Sequence, residues 1–456
     1  MKLKILDSYR GRFILGIFIA TSILQSQGWA AGTLQRINEQ GMTLNLSLQQ
    51  AIDEAKHNNV MLKVAEERIH EAQGRRLQND SDLLPHISVA ATQGRVFWDN
   101  FASQGLPSFG VIGPFNTFDA RFQLTQRIFD LSAISKFQAA NEDVAIARLQ
   151  EKLAQQQVIT AAVMAYMDVL QAQEQLRAVE EDVKLAGQLT SLAQHQLEAG
   201  IVTRLDFIRA QTHLAVHQAR KQQSIQGVNT ANLRLERITG IALGSELHLS
   251  DSIHFFEEKP LGLLETTDAA IKGRIEMSIA EAKIKYGQYL LAQANRTRLP
   301  RVEVYGDYGQ SAVEPNKYAH RAAQIALNVR MPIFEGGLIE GDIRAQRSLK
   351  NQALTMRDDM KTQVEEDARL SLQTLATITE QVKAAQEALE LASKEVDLAK
   401  NEYSAGVGNN VAVVDAQATL ENSRQFYVTA LTQYHLARLN YYSALGQTES
   451  FHLNPS

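Results

Sequence analysis

Two histidines at helical spacing are the first residues of this chain that could do chemistry. His213 and His217 stand four residues apart, a spacing that brings two metal ligands onto one helix face. The residues between them are Leu-Ala-Val, so the glutamate of a zinc-hydrolase motif is missing. The positions 206 residues further on, which belong to a repeat described below, hold the polar residues Thr419 and Ser423. The pair is therefore better interpreted as a solvated helix face than as a metal site.

Other signatures of catalysis or of cofactor binding are incomplete. The stretch GGLIEGD (336–342) has glycines at phosphate-loop spacing but lacks the Lys-Ser/Thr that would bind phosphate and Mg²⁺. The chain has no cysteine, which excludes disulfides, thiolate metal sites and a lipid-modified N-terminal cysteine. The net charge is −5 and no basic block follows the N-terminus, so nucleic acid is not an expected partner. We expect no enzyme, no cofactor and no resident metal.

The N-terminus has the three parts of a secretory signal peptide. Basic residues precede the apolar run FILGIFIATSIL (13–24), which is too short to span a bilayer, and the small residues Gly28 and Ala30 follow it. Cleavage is predicted after Ala30, with an ordinary buried helix as the alternative. No later segment approaches ~20 uncharged apolar residues, so no membrane-spanning helix is expected in the mature protein.

Four short segments alternate between apolar and polar residues. FDARFQLTQRIFD (118–130) and AAQIALNVRMPIFEGG (322–337) alternate most strictly, and HISVAATQG (86–94) and RVEVYGDYG (301–309) precede them. Two-sided strands of this length suit a wall between lipid and water, and they also suit a half-buried sheet packed on helices. The signal peptide and the aromatic residues near strand ends favour the membrane interpretation. These aromatic residues are Phe97, Trp98, Phe115 and Phe118.

Long helices follow each pair of strands, and the whole pattern occurs twice. The 68 residues from Ser132 to Ala199 contain no proline and are rich in good helix formers. A helix of that length spans roughly 100 Å. AGIVTRLD (199–206) turns the chain into a second helix that ends at Gly240, and SAGVGNNVAVVD makes the matching turn in the second half. Ala199-Gly200 falls on Ala405-Gly406 at the constant offset of 206 that indicates an internal duplication.

The duplication gives the predicted domain boundaries. The signal peptide covers 1–30, an N-terminal segment 31–46, the first repeat 47–240, a linker 241–267, the second repeat 268–446 and a C-terminal tail 447–456. Each repeat has a helix, then two strands, then a long helical hairpin. The predicted strands are 86–97, 118–129, 301–311 and 321–333, and the predicted hairpins are 132–240 and 338–446.

Four strands are too few to close a barrel. An open sheet edge in lipid would leave backbone groups unpaired at several kcal/mol each. If the strands cross a membrane, the chain must therefore assemble with copies of itself. Paired helices of about 100 Å cannot lie in a bilayer and must project into an aqueous compartment.

The repeated plan, with LTQRIFD in the first half, MPIFEGG in the second, and the turns EAGIVTRLD and SAGVGNNVAVVD, resembles the TolC-like outer-membrane efflux proteins over essentially all of the mature chain. The resemblance implies a mainly α fold with a membrane β-barrel part. Three chains would contribute four strands each to a 12-stranded barrel that continues into a long α-helical periplasmic tunnel. The sequence departs from the family where Asn58-Asn59 is followed by Val60 instead of proline, and at Gly273-Arg274-Ile275-Glu276.

The same resemblance implies partners and a location. The chain would lie, non-lipidated, in the outer membrane of a Gram-negative bacterium and extend into the periplasm. It would dock with a periplasmic adaptor (membrane-fusion) protein and with an inner-membrane transporter of the resistance-nodulation-division, ATP-binding cassette or major facilitator type. Drug efflux, metal efflux and type I protein secretion remain open, because a passive duct takes its specificity from the transporter.

The resemblance also assigns a gate at the periplasmic tip. Tyr403 matches a latch tyrosine, Asp206 its aspartate partner, and Asp415 an aspartate that rings the aperture. Three other gate positions are replaced by Ala412, Gly408 and Leu205, so the closed state is expected to be held differently.

The duplication singles out the same residues independently. Asp206 falls on Ala412 and Asp415 on Arg209, so the two turns differ in charge where their backbones should agree. We expect an Asp415 ring that favours cations, with Arg209 bridging to an acidic neighbour. The alternative is that an Asp early in a helix only complements the helix dipole.

Two further sets complete the predicted site. The turn residues Gly200, Ile201, Gly406 and Val407 match the adaptor-docking tips, although glycine after a helix is also a common C-cap. The charged residues of the strands should face the barrel lumen and make it wet and mixed in charge; they are Asp119, Arg121, Arg127, Glu303, Asp307 and Arg330.

Two rival functions stay open from the sequence. A periplasmic adaptor would have one helical hairpin inserted into β-rich domains, whereas this chain has two hairpins, each preceded by its own strand pair. A structural spacer without a pore is the second rival.

Overall fold

The computed structural model describes residues 43–98, 112–315, 317–405, 407–408 and 410–454. The predicted signal peptide and residues 31–42 of the predicted N-terminal segment lie outside the described residues. The elements of the first half are β1 (Thr43–Leu46), α1 (Leu48–Asn58), α2 (Val60–Asp80), β2 (His86–Trp98), β3 (Ile112–Phe129), α3 (Leu131–Glu198) and α4 (Arg204–Thr239). Those of the second half are β4 (Glu246–Leu249), α5 (Leu263–Gly273), α6 (Ile275–Arg296), β5 (Arg301–Ala312), β6 (His320–Arg330), α7 (Leu338–Ser404) and α8 (Asn410–Ala444).

The predicted duplication is visible in the order of the elements and in their ends. The hairpins α3–α4 and α7–α8 keep the offset of 206, and Gly240 and Gly446 both have left-handed backbones, with φ of 74° and 73°. The residues before the hairpins follow an offset of 215, since α1 ends at Asn58 and α5 at Gly273. The stretch from the first strand of each pair to the following long helix is shorter in the second half, 37 positions from Arg301 to Leu338 against 45 from His86 to Leu131, which accounts for most of the change of offset.

The first helix of each repeat is broken into two, where the sequence predicted one continuous helix. Ser47 and Gln50 form a capping box at the start of α1. The break comes at Asn59, whose side chain accepts a hydrogen bond from the Met61 N–H (2.9 Å) and donates one to the Ile238 carbonyl (3.0 Å). The corresponding break between α5 and α6 lies at Arg274, whose guanidinium contacts Glu276 and Asp367. Both departures from the family pattern therefore lie at the helix breaks.

The four long strands form one antiparallel sheet in the order β2-β3-β5-β6. β3 begins at Ile112, six positions before the predicted start, because the chain stays paired with β2 as far as Trp98. β6 ends at Arg330, whereas the prediction extended it to 333, because its pairing with β5 ends where β5 begins, at Arg301. Among the described strands, β2 pairs only with β3 and β6 only with β5, so both outer edges of this sheet are open.

A second, small sheet lies where the predicted linker and N-terminal segment meet. β1 and β4 pair in parallel, and Leu46 and Leu247 are buried with residues of α1, α3 and α4. The Tyr166 hydroxyl donates to the Leu46 carbonyl (3.0 Å) or to the Asp251 carboxylate (2.7 Å), and Asp251 also accepts from the Leu48 N–H (2.7 Å). The predicted linker thus contains β4 and the start of α5, and Phe451 of the predicted tail is buried in the same core. Within the described residues, none of the helices carries a stretch hydrophobic enough to cross a bilayer.

Candidate functional site: the two-faced sheet and the helical tip

One face of the four-stranded sheet is apolar and uncovered. Cross-strand pairing puts Ile87 opposite Leu124 and Val89 opposite Phe122 on this face. Phe122 in turn lies opposite Tyr308, and Leu327 lies opposite Val304. Ile325 is 88% exposed and Val89 66% exposed. A half-buried sheet would hide such side chains against helices, so the uncovered face excludes that alternative for the described chain.

All six predicted lumen residues lie on the opposite face. The register pairs Arg127 with Glu303, Gln123 with Asp307, and Arg301 with Arg330, and it puts Asp119 and Arg121 in alternate positions of the same strand. The lateral pairing therefore brings together residues that are distant in the chain, such as Arg121 and Asp307, which lie 186 positions apart.

Arg121 is the centre of a charged network on this polar face. Its guanidinium donates to the carboxylate of Asp119 through Nε (2.7 Å) and Nη2 (2.8 Å), and to Asp307 through Nη1 (2.8 Å). The Ser311 hydroxyl donates to Asp119 (2.7 Å) and accepts from Arg121 (3.2 Å). The Asp307 side chain is 1% exposed. Two carboxylates around one guanidinium leave a fixed, hydrogen-bonded patch with one net negative charge.

The other predicted lumen residues lie nearer the helices. Arg127 forms ion pairs with Asp82 (3.0 Å) and Asp130 (3.8 Å) at the base of the sheet. Lys136 of α3 contacts the second carboxylate oxygen of Asp82 (3.0 Å). The pKa of Asp82 is lowered because these two cations outweigh the opposing effect of burial. The sheet is thus tied to the first turn of the long helix by a set of alternating charges.

The turn between α3 and α4 is built from two capping motifs. Gly200, with φ of 74°, donates to the Leu197 carbonyl and Ile201 donates to the Gln196 carbonyl, the two bonds that close a helix in a Schellman motif. Thr203 then caps α4. Its hydroxyl donates to Asp206 (2.6 Å), and its side chain accepts from the Asp206 N–H (3.3 Å).

Asp206 is therefore a capping residue of α4 in this structure. Hydrogen bonds from Thr203 lower the pKa of its carboxyl group, and Arg209, 3.8 Å away, adds to the effect. The predicted bridge from Arg209 to an acidic neighbour is formed within the same helix turn.

The turn between α7 and α8 repeats the helix end of the first. Val407 donates to the Glu402 carbonyl (3.1 Å), which is the bond equivalent to that of Ile201. Gly406, one of the predicted docking residues, lies outside the described residues. Val407 is 81% exposed and Ile201 65% exposed, so both tips present an apolar side chain to solvent.

Tyr403 is buried beside this turn, 3% exposed, in a cluster with Leu189 and Val413. Its hydroxyl has no hydrogen-bond partner among the residues that the structure describes. The predicted latch bond to Asp206 is thus not formed here, and the Asp206 carboxylate accepts hydrogen bonds from Thr203. Burial raises the pKa of Tyr403, and the negative charge of Asp206 adds to this.

Asp415 is exposed on the first turns of α8, one helical turn before Thr419, whose hydroxyl donates to the Asp415 carbonyl (3.0 Å). The replaced gate positions Leu205 and Ala412 are exposed at the same end of the hairpins. The gate positions from both repeats thus lie at the turns of the hairpins, as the duplication predicts.

Comparison with known proteins identifies the family. The family model described as outer membrane efflux protein matches residues 51–241 and 267–447, which are the two repeats. The chain belongs to this family. Its membership confirms the TolC-like resemblance and the mainly α fold with a membrane β part, and the protein is assigned to the outer membrane of a Gram-negative bacterium.

The relatives of this efflux family member include both efflux and secretion proteins. The outer membrane protein TolC of Escherichia coli is 23% identical over 420 residues, which cover 88% of this chain and 82% of TolC. The proteases secretion protein PrtF of Dickeya chrysanthemi is 18% identical over 318 residues, 68% of this chain and 69% of PrtF. The crystal structure of the CmeC outer membrane channel of Campylobacter jejuni matches with a TM-score of 0.77 at 19% identity and covers 90% of this chain and 87% of CmeC. At this identity the structural likeness establishes the fold alone.

Two charged groups of this efflux family member were not predicted from the sequence. Asp182 of α3, His217 of α4 and Glu421 of α8 come together between the two hairpins, and His217 is buried. The interpretation of His217 as part of a solvated helix face is therefore wrong, while His213 is half-buried. The signal was weak because the three residues come from three helices and each one alone fits a polar helix surface.

The second missed group surrounds Arg438 of α8, which is fully buried. Its guanidinium pairs with Glu258, stacks over the ring of Phe256 (4.2 Å to the centroid) and donates to the His452 carbonyl (3.1 Å). Burial raises the pKa of the Glu258 carboxyl, but hydrogen bonds from Tyr442 and Arg438 outweigh it and leave the pKa lowered. This group fastens the predicted linker and the C-terminal segment to the last helix.

Proposed function

We propose that the chain is the exit duct of a tripartite export system, and that three copies form the duct. The observation that carries this proposal is the four-stranded sheet with an uncovered apolar face, a charged opposite face and two open edges. The duct conducts substrates passively across the periplasm and the outer membrane, and it is gated at the helical tip.

The apolar face supports contact with lipid. The strands have 11 to 18 residues, enough to cross the hydrocarbon layer at the tilt of a barrel. In lipid each unpaired backbone group at an open edge would cost several kcal/mol, so the edges β2 and β6 must pair with those of neighbouring chains. Three chains of four strands give a closed, even-numbered barrel of twelve.

The polar face supports a wet lumen without strong selection. Arg121 is neutralised by Asp119 and Asp307, and Arg127 by Asp82 and Asp130, so positive and negative groups alternate along the wall. Such a surface attracts water, and its opposite charges are held in pairs, unlike the unpaired ring of like charge in a selective filter. Glu303 and Arg330 extend the same mixed surface towards the helices.

The tip supports a gate with one acidic ring. Asp415 is exposed at the turn of the second hairpin, and three copies around a common axis would form a ring that favours cations. The buried Tyr403 hydroxyl, which lacks a hydrogen-bond partner among the described residues, is available to latch the closed state towards Asp206. Arg209 would set the charge that faces this ring from the first hairpin.

The exposed turns support docking of a periplasmic adaptor. Ile201 and Val407 present apolar side chains at the ends of two hairpins, with Gly200 and Gly406 at the preceding positions. An adaptor bound there would link the duct to an inner-membrane transporter, whose identity decides whether the cargo is a small molecule or a protein. The two hairpins, each with its own strand pair, argue against a function as the adaptor itself.

Single-channel recording in planar bilayers tests the proposal. The purified protein should insert and conduct with a preference for cations, and Asp415→Ala should reduce that preference. Asp359→Ala, at an exposed position of α7 that lies 45 residues before its end at Ser404, is the matched control and should leave it unchanged. A protein that inserts without conductance would be a structural spacer, and an unchanged preference in Asp415→Ala would reject the acidic ring.

A further inference from the structure

The group between the hairpins combines three side chains that commonly bind metal ions. Asp182 on α3, His217 on α4 and Glu421 on α8 each bring one possible ligand atom within 4.8 Å of those of the other two. Asp182 and His217 are each 7% exposed, whereas ionisable groups are rarely buried without a role.

One atom of this group has no hydrogen-bond partner. The Nδ1 atom of His217 is buried and makes no hydrogen bond with any residue that the structure describes. An unsatisfied buried polar atom costs roughly 1–3 kcal/mol, so it requires an explanation. A metal ion could bind this nitrogen and accept its lone pair.

The internal duplication shows that the fold does not need these residues. At the offset of 206, Asp182 corresponds to Ala388, His217 to Ser423 and Glu421 to Ala215. Each repeat keeps its helices and their ends although the second has Ala388 and Ser423 in place of Asp182 and His217, and the first has Ala215 in place of Glu421. The group therefore takes residues from both repeats, and hairpin packing does not require them.

Two arginine side chains lie beside the group, and each contacts one oxygen of one carboxylate. Arg424 donates to one carboxylate oxygen of Asp182 (2.9 Å), and Arg220 contacts Oε1 of Glu421. Each carboxylate keeps its second oxygen for a ligand bond. Burial lowers the pKa of His217; the Asp182 carboxylate opposes this shift and Arg220 adds to it.

We propose that Asp182, His217 and Glu421 bind a divalent transition-metal ion, with Zn²⁺ as the chemical type. One imidazole nitrogen with two carboxylate oxygens suits zinc better than Ca²⁺ or Mg²⁺, which prefer oxygen alone. Zinc bonds of about 2.1 Å in a tetrahedral site bring the ligand atoms to roughly 3.4 Å from one another. Side-chain rotation that shortens the present separations, together with one water molecule, would complete four-fold coordination.

The ion would join helices of both hairpins. Asp182 lies 17 residues before Ala199, which at 1.5 Å per residue is about 25 Å from the turn. A bound ion would hold α8 against α3 and α4 at this level and resist their separation. This inference does not depend on the proposed pore.

Titration of the metal-free, full-length protein with ZnCl₂ tests the site. The protein is solubilised in detergent, carries no histidine tag and is treated with a chelator first. The wild type should bind one Zn²⁺ per chain, and the ion should raise its thermal unfolding temperature. His217→Ser, which installs the residue of the second repeat, should weaken this binding at least about tenfold and abolish the thermal shift.

Two further variants keep the test decisive. His213→Thr removes a histidine one turn away, again with the repeat's own residue, and should bind as the wild type does. Glu421→Ala, which copies Ala215 of the first repeat, replaces His217→Ser if that variant does not assemble, and it should lose binding as well. The proposal is overturned if the wild type binds no stoichiometric Zn²⁺, if the ligand variant binds like the wild type, or if His213→Thr loses binding equally.

Discussion

The two hairpins of this protein share a backbone but differ in charge. α3–α4 and α7–α8 have nearly equal lengths, and both end in a left-handed glycine, at Gly240 and Gly446. Their turns share the bond from Ile201 or Val407 back to the last turn of the preceding helix. In contrast, Asp182, Asp206 and His217 of the first hairpin correspond to Ala388, Ala412 and Ser423 of the second.

This comparison distinguishes residues that the fold requires, which are the same in both hairpins, from charged residues that only a functional site would require. Helix ends depend on backbone conformation, which few residue types can adopt, so the residues at those positions are the same in both repeats. Charged side chains at exposed or inter-helical positions are free to differ without disturbing the helices. Where the repeats diverge in charge, at the tip and between the hairpins, we therefore look for function.

Alanine substitution at three glycines with nearly equal φ should give the largest change in stability. A Cβ at Gly446 would lie 2.5 Å from the Gly273 carbonyl oxygen, and one at Gly240 would lie 2.4 Å from the Asn58 Cβ, while nothing lies within 4 Å of one at Gly200. Gly446→Ala should cost about 3–5 kcal/mol, because backbone strain and a clash add, whereas Gly200→Ala should cost about 1–2 kcal/mol from strain alone. Gly240→Ala should lie nearer to Gly446→Ala. Urea unfolding measured by circular dichroism gives the ranking.

An equal loss of stability in Gly200→Ala and Gly446→Ala would contradict this account. It would mean that φ alone decides the cost and that the packing of the hairpin ends against α1 and α5 contributes little.

The buried histidine His435, on α8 of the second hairpin, gives the next largest expected effect. His435 corresponds to Asn229 in the first hairpin. Burial, with the Arg438 cation 3.3 Å from Nδ1, lowers the pKa of His435 to about 4. The unfolded chain binds a proton near pH 6.5 and the folded chain does not, so stability falls as the pH drops from about 6.5 to about 4. The His435 contribution to this loss is roughly 3 kcal/mol.

His435→Asn, which copies the first hairpin, should flatten this pH dependence of the free energy of unfolding. His248→Asn, at an exposed position, is the control and should keep it. If the wild type were equally stable at pH 4.5 and pH 6.5, the assignment of His435 as a neutral buried group would be wrong.

Substitutions at the helical tip should have the smallest effect on stability. Asp206→Ala removes the acceptor of the Thr203 N–H and hydroxyl and should destabilise the start of α4 by about 1 kcal/mol, measured as faster amide hydrogen exchange there. Asp415→Ala should change local exchange by less than ~0.5 kcal/mol, because its side chain is exposed.

The lowered pKa of Asp206 sets the pH range of this effect. The contribution of the ionised carboxylate is present at neutral pH and is lost only as the pH falls below about 4, through the folded-state pKa. Faster exchange at the tip already at pH 6 would contradict the capping function of Asp206.

Much of the fold follows from local patterns in the sequence. The alternation in Phe122, Leu124 and their polar neighbours predicts two-sided strands, and a long run without proline predicts α3. The offset between Gly200 and Gly406 predicts the second hairpin. Residues of the polar sheet face follow from the same alternation.

What the sequence did not predict depends on contacts between distant residues. The helix break at Asn59 is stabilised by a bond to Ile238, and β1 pairs with β4 about 200 residues later. The Asp182–His217–Glu421 group needs three helices packed together, and no local pattern predicts it. At the tip, the sequence selected Asp206 and Tyr403 but not the capping box between Thr203 and Asp206.

The native mass of the detergent-solubilised protein tests the central claim most directly. Two open edges on an uncovered amphipathic sheet predict an assembly of three chains, each contributing its four strands to one closed wall. Mass spectrometry that releases the intact assembly from its micelle should find three copies. A monomer that stays soluble without detergent would contradict the account, since its sheet could then not be part of a membrane wall.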